Sequence, residues 1–165
     1  MIRSDRIVAA VVIAFVVCLP RAADGQNTTQ AVQPEVRVDG IFARTTGIEA
    51  ALGLTVPTGI YVRTGLIGGL GGGPHGVEGR TDLVARFSMD PFRQSRWAPY
   101  AGAGLSGRYR TAAAGGARAY LLVFLGIEGP LRRGAAGGWV PALEVGLGGG
   151  TRVGIGIRKG IPERR

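Results

Sequence analysis

The sequence contains very few of the residues that most active sites require. Among its 165 residues there are one cysteine, Cys18, and one histidine, His75. A single cysteine excludes an intramolecular disulfide framework and a cysteine-based zinc site, and a single histidine excludes a multi-histidine metal site. The chain also lacks a P-loop motif for binding phosphate. We therefore expect a protein with no cofactor and no metal ion, and not an enzyme.

Lysine is almost absent, although the chain is strongly basic. Lys159 is the only lysine, so arginine supplies nearly all of the 20 basic residues, which exceed 11 acidic residues and leave a formal net charge of +9. Basic residues that bind nucleic acid cluster with stacking aromatic side chains. Here they are interleaved with acidic residues, and aromatic residues make up only 7% of the chain. We expect no nucleic-acid partner.

The N-terminus has the layout of a secretory signal peptide, which we assign to residues 1–25. Arg3 and Arg6 supply the basic start. The apolar run that follows, residues 7–19, is shorter than the ~20 residues that a membrane-spanning helix needs. Pro20 ends this run, and small residues follow at the expected cleavage site. The remaining chain divides into a flexible lead-in (26–35), a β-barrel domain (36–161) and a tail (162–165).

From residue 36 onward the sequence alternates with the period of two that is typical of β-strands. In residues 77–89, for example, Leu83 and Phe87 share one face while Arg80 and Asp82 share the other. Glycine- and proline-rich breaks of the kind that form hairpins separate the alternating segments. An even number of such strands favours closure, because a closed barrel has no exposed edge. We therefore predict an all-β fold, a single antiparallel up-and-down barrel of about eight strands, at residues 36–45, 47–56, 59–69, 77–89, 98–110, 117–129, 138–148 and 151–159.

Alternation alone does not decide which face points inward. A soluble barrel has an apolar interior, whereas a membrane barrel has an apolar exterior and a polar interior. The polar face here is rich in glycine, which leaves space for large side chains in the narrow interior of eight strands. Its charges have both signs, and arginine suits buried pairing with carboxylates. These features favour a membrane barrel whose lumen holds a charge network of Arg37, Glu49, Arg63, Glu78, Arg80, Asp82, Arg86, Arg108, Arg118, Glu128, Glu144, Arg152 and Arg158, with Asp39 on the same face.

Strand length and the large aromatic residues also fit a membrane. A tilted membrane strand needs ~9–11 residues, and most of the predicted segments supply them. Phe87, Phe92, Trp97 and Trp139 are predicted to lie near one rim, where they would form an interfacial aromatic belt. Pro141 fits poorly, because proline cannot donate a hydrogen bond within a sheet.

Residues 97–105 read Trp-Ala-Pro-Tyr-Ala-Gly-Ala-Gly-Leu. This segment resembles a recurrent strand of the bacterial outer-membrane β-barrel domain family, the small eight-stranded barrels of the OmpA and OmpX type. The resemblance implies a location in the outer membrane of a Gram-negative bacterium, an N-terminus on the periplasmic side and apolar residues facing lipid. The sequence departs from the family at its end, because residues 159–165 lack the terminal aromatic residue that the assembly machinery reads in such barrels.

Two other functions stay open from the residues alone. With its faces reversed, the chain would be a soluble periplasmic barrel that binds a small apolar or lipid-like ligand. A lipid-modifying outer-membrane enzyme would need His75, yet Glu78 is the only acid near it and no serine lies on a matching face. We expect instead a non-enzymatic envelope protein with a structural or interaction role. It is predicted to be a monomer in a lipid bilayer, with a basic rim that contacts acidic lipid headgroups or other envelope components.

Overall fold

The structure, a computed structural model, describes residues 32–44, 46–74, 76–90, 94–110, 116–130 and 138–159. They form eight antiparallel strands in one closed barrel, in which each strand pairs with its neighbours in sequence and the last pairs with the first. This confirms the predicted fold class. Residues 1–25, most of the lead-in and residues 162–165 lie outside the described residues. The strands are β1 (Gln33–Phe42), β2 (Thr46–Pro57), β3 (Val62–Gly73), β4 (Gly76–Ser88), β5 (Ala98–Arg110), β6 (Ala117–Glu128), β7 (Trp139–Leu147) and β8 (Thr151–Lys159).

Strand β1 begins earlier than the sequence predicts. Gln33 pairs with Thr55 of β2, and Glu35 pairs with Gly53 of β2 and with Arg158 of β8. Residues 33–35, which we expected to belong to the lead-in, are therefore part of the barrel wall. Polar residues ahead of an apolar segment suggest a loop, but here Gln33 and Glu35 are buried because their face points into a polar interior.

Strand β3 begins later and ends later than the sequence predicts. The backbone N–H groups of Thr58 and Gly59 donate to the carbonyl oxygen of Val62 at 3.0 and 3.1 Å, which closes a turn before the strand begins. At its other end β3 continues through the glycine-rich residues 70–73, which the sequence suggested were part of a connection. Gly71 pairs there with Glu49 of β2 and Glu78 of β4, so backbone pairing continues through the three glycines of this segment.

The barrel has two ends, which we call the base and the top. The base is the end where β1 begins and β8 ends, and it carries the β2–β3, β4–β5 and β6–β7 connections. The side chains of each strand alternate between a buried and an exposed face. The exposed face is apolar: Leu52, Leu121 and Ile155, for example, are 67%, 70% and 66% exposed. In the described part of the chain, no helix has the length and apolar character needed to cross a membrane.

The β6–β7 pairing is the shortest of the eight, with six residue pairs from Val123↔Leu147 to Glu128↔Ala142. As a result, the upper part of β6 extends beyond the end of β7. Pro141 lies one position past the last pair at the base, and its carbonyl oxygen accepts a hydrogen bond from the N–H of Gly129 at 2.9 Å. The N and O atoms of a strand residue point to the same neighbour. The missing N–H of Pro141 therefore points toward β6, beyond the last β6–β7 pair, and the pairing with β8 does not need it.

Candidate functional site: the charged interior of the barrel

The interior has an apolar part and a charged part. Six buried residues, one or two from each of β2 to β6, form an apolar cluster: Ala51, Ile67, Val84, Tyr100, Leu122 and Phe124. The charged part consists of seven buried acidic residues and six buried arginines. Of the acidic residues that the structure describes, Asp90 alone lies outside it. The buried charged residues are Glu35, Asp39, Glu49, Glu78, Asp82, Glu128, Glu144, Arg37, Arg80, Arg86, Arg108, Arg152 and Arg158.

Three arginines and three acids form a closed ring of alternating charge, which we call the ion-pair ring. Arg37 bonds Asp39 through Nη2 at 2.6 Å, and Arg80 bonds the other oxygen of Asp39. The Nε of Arg80 lies 3.1 Å from Oδ2 of Asp82, and the same oxygen lies 2.6 Å from Nη1 of Arg152. Arg152 Nη2 and Arg37 Nη1 each lie 3.0 Å from Oε1 of Glu144, which closes the ring. Its six members are Arg37, Asp39, Arg80, Asp82, Arg152 and Glu144, from strands β1, β4, β7 and β8.

Below the ring, Glu35 connects two further arginines. Arg86 donates to both carboxylate oxygens of Glu35, at 2.6 and 3.0 Å, and Arg158 donates through Nε at 2.9 Å. Arg158 also donates to the hydroxyl oxygen of Tyr100 at 2.8 Å and to Glu128 at 3.3 Å. Glu35 thus accepts three charge-assisted hydrogen bonds, which compensate for removing its carboxylate from water.

Above the ring, the network continues to the top of the barrel. Arg80 Nη1 lies 3.0 Å from Glu49, and Glu49 lies 3.6 Å from Arg108. Arg108 pairs in turn with Glu78 at 2.7 Å, and Glu78 pairs with the half-exposed Arg110 at 2.7 Å. Opposite charges therefore alternate without a break from the base of the lumen to its top.

Two arginines join the charged part to the apolar part. The guanidinium of Arg86 lies 6.0 Å from the ring centre of Tyr100 and 5.8 Å from that of Phe124. The guanidinium of Arg158 lies 4.7 Å from the ring centre of Tyr100. A cation at this range from an aromatic face is attracted to it. The two parts of the interior are therefore in direct contact.

Glycines facing the lumen make room for these groups. Gly154 of β8 pairs with Asp39 of β1, and a Cβ at Gly154 would collide with the Asp39 carboxylate and the Arg37 guanidinium. A Cβ at Gly102 would likewise collide with the ring of Phe124. The glycine-rich polar face therefore has the steric role that its composition suggested.

The structure brings most of the predicted charge network together inside the barrel, with two differences. Arg63 is only partly buried and lies 3.9 Å from Glu128 at the base. The prediction for Arg118 is wrong, because its side chain is exposed. Arg118 belongs to the upper part of β6, beyond the last pair with β7, where the wall on that side has ended. Sequence reasoning also missed Glu35, which it placed in the lead-in, although Glu35 has the same alternation as Arg37 and Asp39.

The predicted aromatic residues that the structure describes lie at one end. Phe87 is the second-last residue of β4, Trp97 precedes β5 and Trp139 starts β7, so all three are at the base, and each is about half exposed. Sequence reasoning missed Tyr61, whose ring stacks on Phe87 with a centroid distance of 5.7 Å. Phe92 and His75 lie outside the described residues. Within the described ranges, no group of three or more His, Cys, Asp or Glu side chains could hold a metal ion.

The described residues thus form an eight-stranded antiparallel barrel with an apolar exterior and a charged, filled interior, a fold of the outer-membrane type. Two solved structures share the fold. The N-terminal β-barrel domain of Pseudomonas aeruginosa OprF matches with a TM-score of 0.57 and 16% identity, over 78% of this chain and 95% of that domain. The de novo designed protein TMB2.3 matches with a TM-score of 0.54 and 15% identity, over 84% of this chain and 99% of that one. No family model and no curated protein sequence matches the chain.

Proposed function

We propose that this protein spans the outer membrane of a Gram-negative bacterium as a sealed barrel and has a structural or interaction role there, without catalytic activity. One observation carries the proposal: the distribution of polarity is the reverse of that in a soluble barrel. Within the described residues, the buried set holds 16 polar or charged side chains and 9 hydrophobic ones, while 27 large hydrophobic side chains are exposed.

The exposed apolar surface supports a lipid environment. It includes Val36, Leu52, Leu105, Leu125 and Ile155, which are on five different strands and are 44–67% exposed. Soluble monomers rarely expose apolar patches larger than a few hundred Å². In lipid, exposed apolar side chains carry no free-energy cost. A closed barrel also pairs the backbone hydrogen-bonding groups of neighbouring strands without the help of water. The half-exposed Trp97 and Trp139 at the base fit the position of an interfacial belt.

The filled interior disfavours a soluble ligand-binding barrel and also an open pore. A soluble barrel that binds an apolar ligand needs an open, apolar cavity, but here the ion-pair ring and the apolar cluster occupy the lumen. A pore would need a continuous water path, whereas an eight-stranded barrel is only wide enough for its own side chains. The wall of the barrel and its two rims therefore remain as the surfaces through which the protein acts.

The deciding experiment is refolding of residues 26–165 into detergent micelles, followed by electrophoresis of heated and unheated samples. We expect a heat-dependent shift in mobility, because a closed barrel resists the detergent until it is heated. We also expect precipitation when the detergent is removed. A stable β-rich monomer in plain buffer, with no shift, would refute the proposal and favour the soluble alternative.

A further inference from the structure

Two cations and two tryptophans are exposed at the base, along the arc of wall from β5 to β8. Arg96 and Trp97 directly precede β5, and all four residues are exposed. Trp139 of β7 pairs directly with Lys159 of β8. We call Arg96, Trp97, Trp139 and Lys159 the base rim.

The base rim is cationic because the interior holds the acidic residues. Seven of the eight acidic residues that the structure describes are buried in the lumen among arginines. The eighth, Asp90, lies near the base, but its carboxylate accepts hydrogen bonds from the backbone N–H groups of Gln94 and Ser95 at 3.0 and 2.7 Å. In the described part of the chain, Arg96 and Lys159 therefore have no acid outside the lumen to pair with other than Asp90.

The wall next to the base rim is apolar. Ile127 of β6 and Ile157 of β8 point outward one or two positions inside the rim, and they are 37% and 45% exposed. The ring of Trp97 lies against Gly129, just after β6. The cations and the indole rings lie at the end of the barrel, with Trp139 level with Lys159, and aliphatic side chains follow inward. A phospholipid likewise presents its charged headgroup and interfacial region before its acyl chains.

We propose that the base rim binds the headgroup phosphate of anionic phospholipids in the leaflet that surrounds the base. This inference rests on the proposed function, since it requires the wall to lie in a bilayer. The arrangement of the base rim favours lipid over an acidic protein as the partner. Its cations are next to indole rings and an apolar wall, and they do not form a separate charged patch.

The test uses the full chain, produced in a Gram-negative host and purified from its membranes in mild detergent. The protein is mixed with equal amounts of phosphatidylglycerol and phosphatidylcholine, and native mass spectrometry counts the lipids it retains. We expect a preference for phosphatidylglycerol that falls in the Arg96→Gln/Lys159→Gln variant. The expected loss is about fivefold for each charge removed, from the roughly 1 kcal/mol that a basic residue contributes near an anionic membrane surface.

The matched control is Arg44→Gln/Arg118→Gln, which removes two exposed charges at the top and is expected to retain the preference. Equal retention of the two lipids by the parent protein, or an equal loss in both variants, would overturn the inference. So would binding of soluble polyglutamate that competes with the lipid, because it would identify an acidic protein as the partner. The heat shift of each variant separates the two proposals: an intact shift without lipid preference refutes this inference alone, whereas no shift in the parent refutes the membrane barrel.

Discussion

Replacing Arg80 with methionine tests whether the ion-pair ring stabilises the barrel. Arg80 contacts Asp39, Glu49 and Asp82, and its side chain is 1% exposed. Methionine keeps most of the apolar stem and removes the charge. Asp39 and Asp82 each keep a second arginine, but the nearest remaining cation to Glu49 is Arg108 at 3.6 Å. Removing one partner from a buried ion pair costs about 3–5 kcal/mol, so we expect Arg80→Met to lower the free energy of unfolding by that amount.

A second substitution separates lost charge pairing from lost packing. If the cost comes from a buried carboxylate without a partner, Arg80→Met/Glu49→Gln should be more stable than Arg80→Met. Groups in one network typically couple by about 0.5–3 kcal/mol, which sets the expected recovery. Glu49→Gln alone should cost less than Arg80→Met, because Arg80 keeps Asp39 and Asp82.

The assay is urea unfolding of the barrel in phospholipid vesicles. The fluorescence of Trp97 and Trp139 reports on the base, and the gel shift reports on closure. A loss below about 1 kcal/mol in Arg80→Met would refute the reasoning, because a change that small is within the range of an exposed pair. A double variant no more stable than Arg80→Met would refute it as well, since the cost would then come from packing.

Three further predictions follow from the interior and from the sequence. Gly154→Ala should destabilise the barrel by about 1–3 kcal/mol in the same urea titration, through overpacking against Asp39 and Arg37. The control is Gly68→Ala, whose added methyl group meets nothing within 4 Å and which should be neutral or slightly stabilising. The parent barrel should give no steady conductance in planar bilayers, and a stable open level would contradict a lumen sealed by the ion-pair ring. His75→Ala should leave the composition of envelope lipids unchanged when these are profiled by mass spectrometry, and a missing lipid species would favour the enzyme hypothesis.

The sequence predicted the wall of the barrel well because a period of two is local information. In residues 77–89, the charges of Arg80 and Asp82 are enough to assign every neighbour to one face or the other. By the same alternation Val84 shares a face with Arg80 and Asp82, and Leu122 and Phe124 share a face with Glu128. Nothing in that pattern shows that the three apolar residues form a cluster. Local alternation says which face a side chain is on, but not which side chains of other strands it meets.

The errors arose where long-range pairing decides the outcome. The prediction for Arg118 was wrong because the β6–β7 register leaves the upper part of β6 without a partner on the β7 side, and no local pattern encodes that register. Glu35 was missed because its strand identity depends on pairing with both β2 and β8. The partners in the ion-pair ring were also not predictable, since they depend on how four strands are staggered when the barrel closes.

The ion-pair ring also has a consequence for how the barrel assembles. Arg37 and Asp39 come from the first strand, Arg152 from the last, and Asp82 and Arg80 from the middle of the chain. An open sheet keeps the pairs Arg37–Asp39, Arg80–Asp82 and Arg152–Glu144, which lie on one strand or on neighbouring strands. It lacks the three contacts that join distant strands, so an incompletely closed intermediate holds only half of the ring. Such an intermediate cannot enter lipid without a large desolvation penalty. Docking of β8 onto β1 completes the ion pairs between distant strands, so under the proposed function the ring couples closure of the barrel to its insertion into lipid.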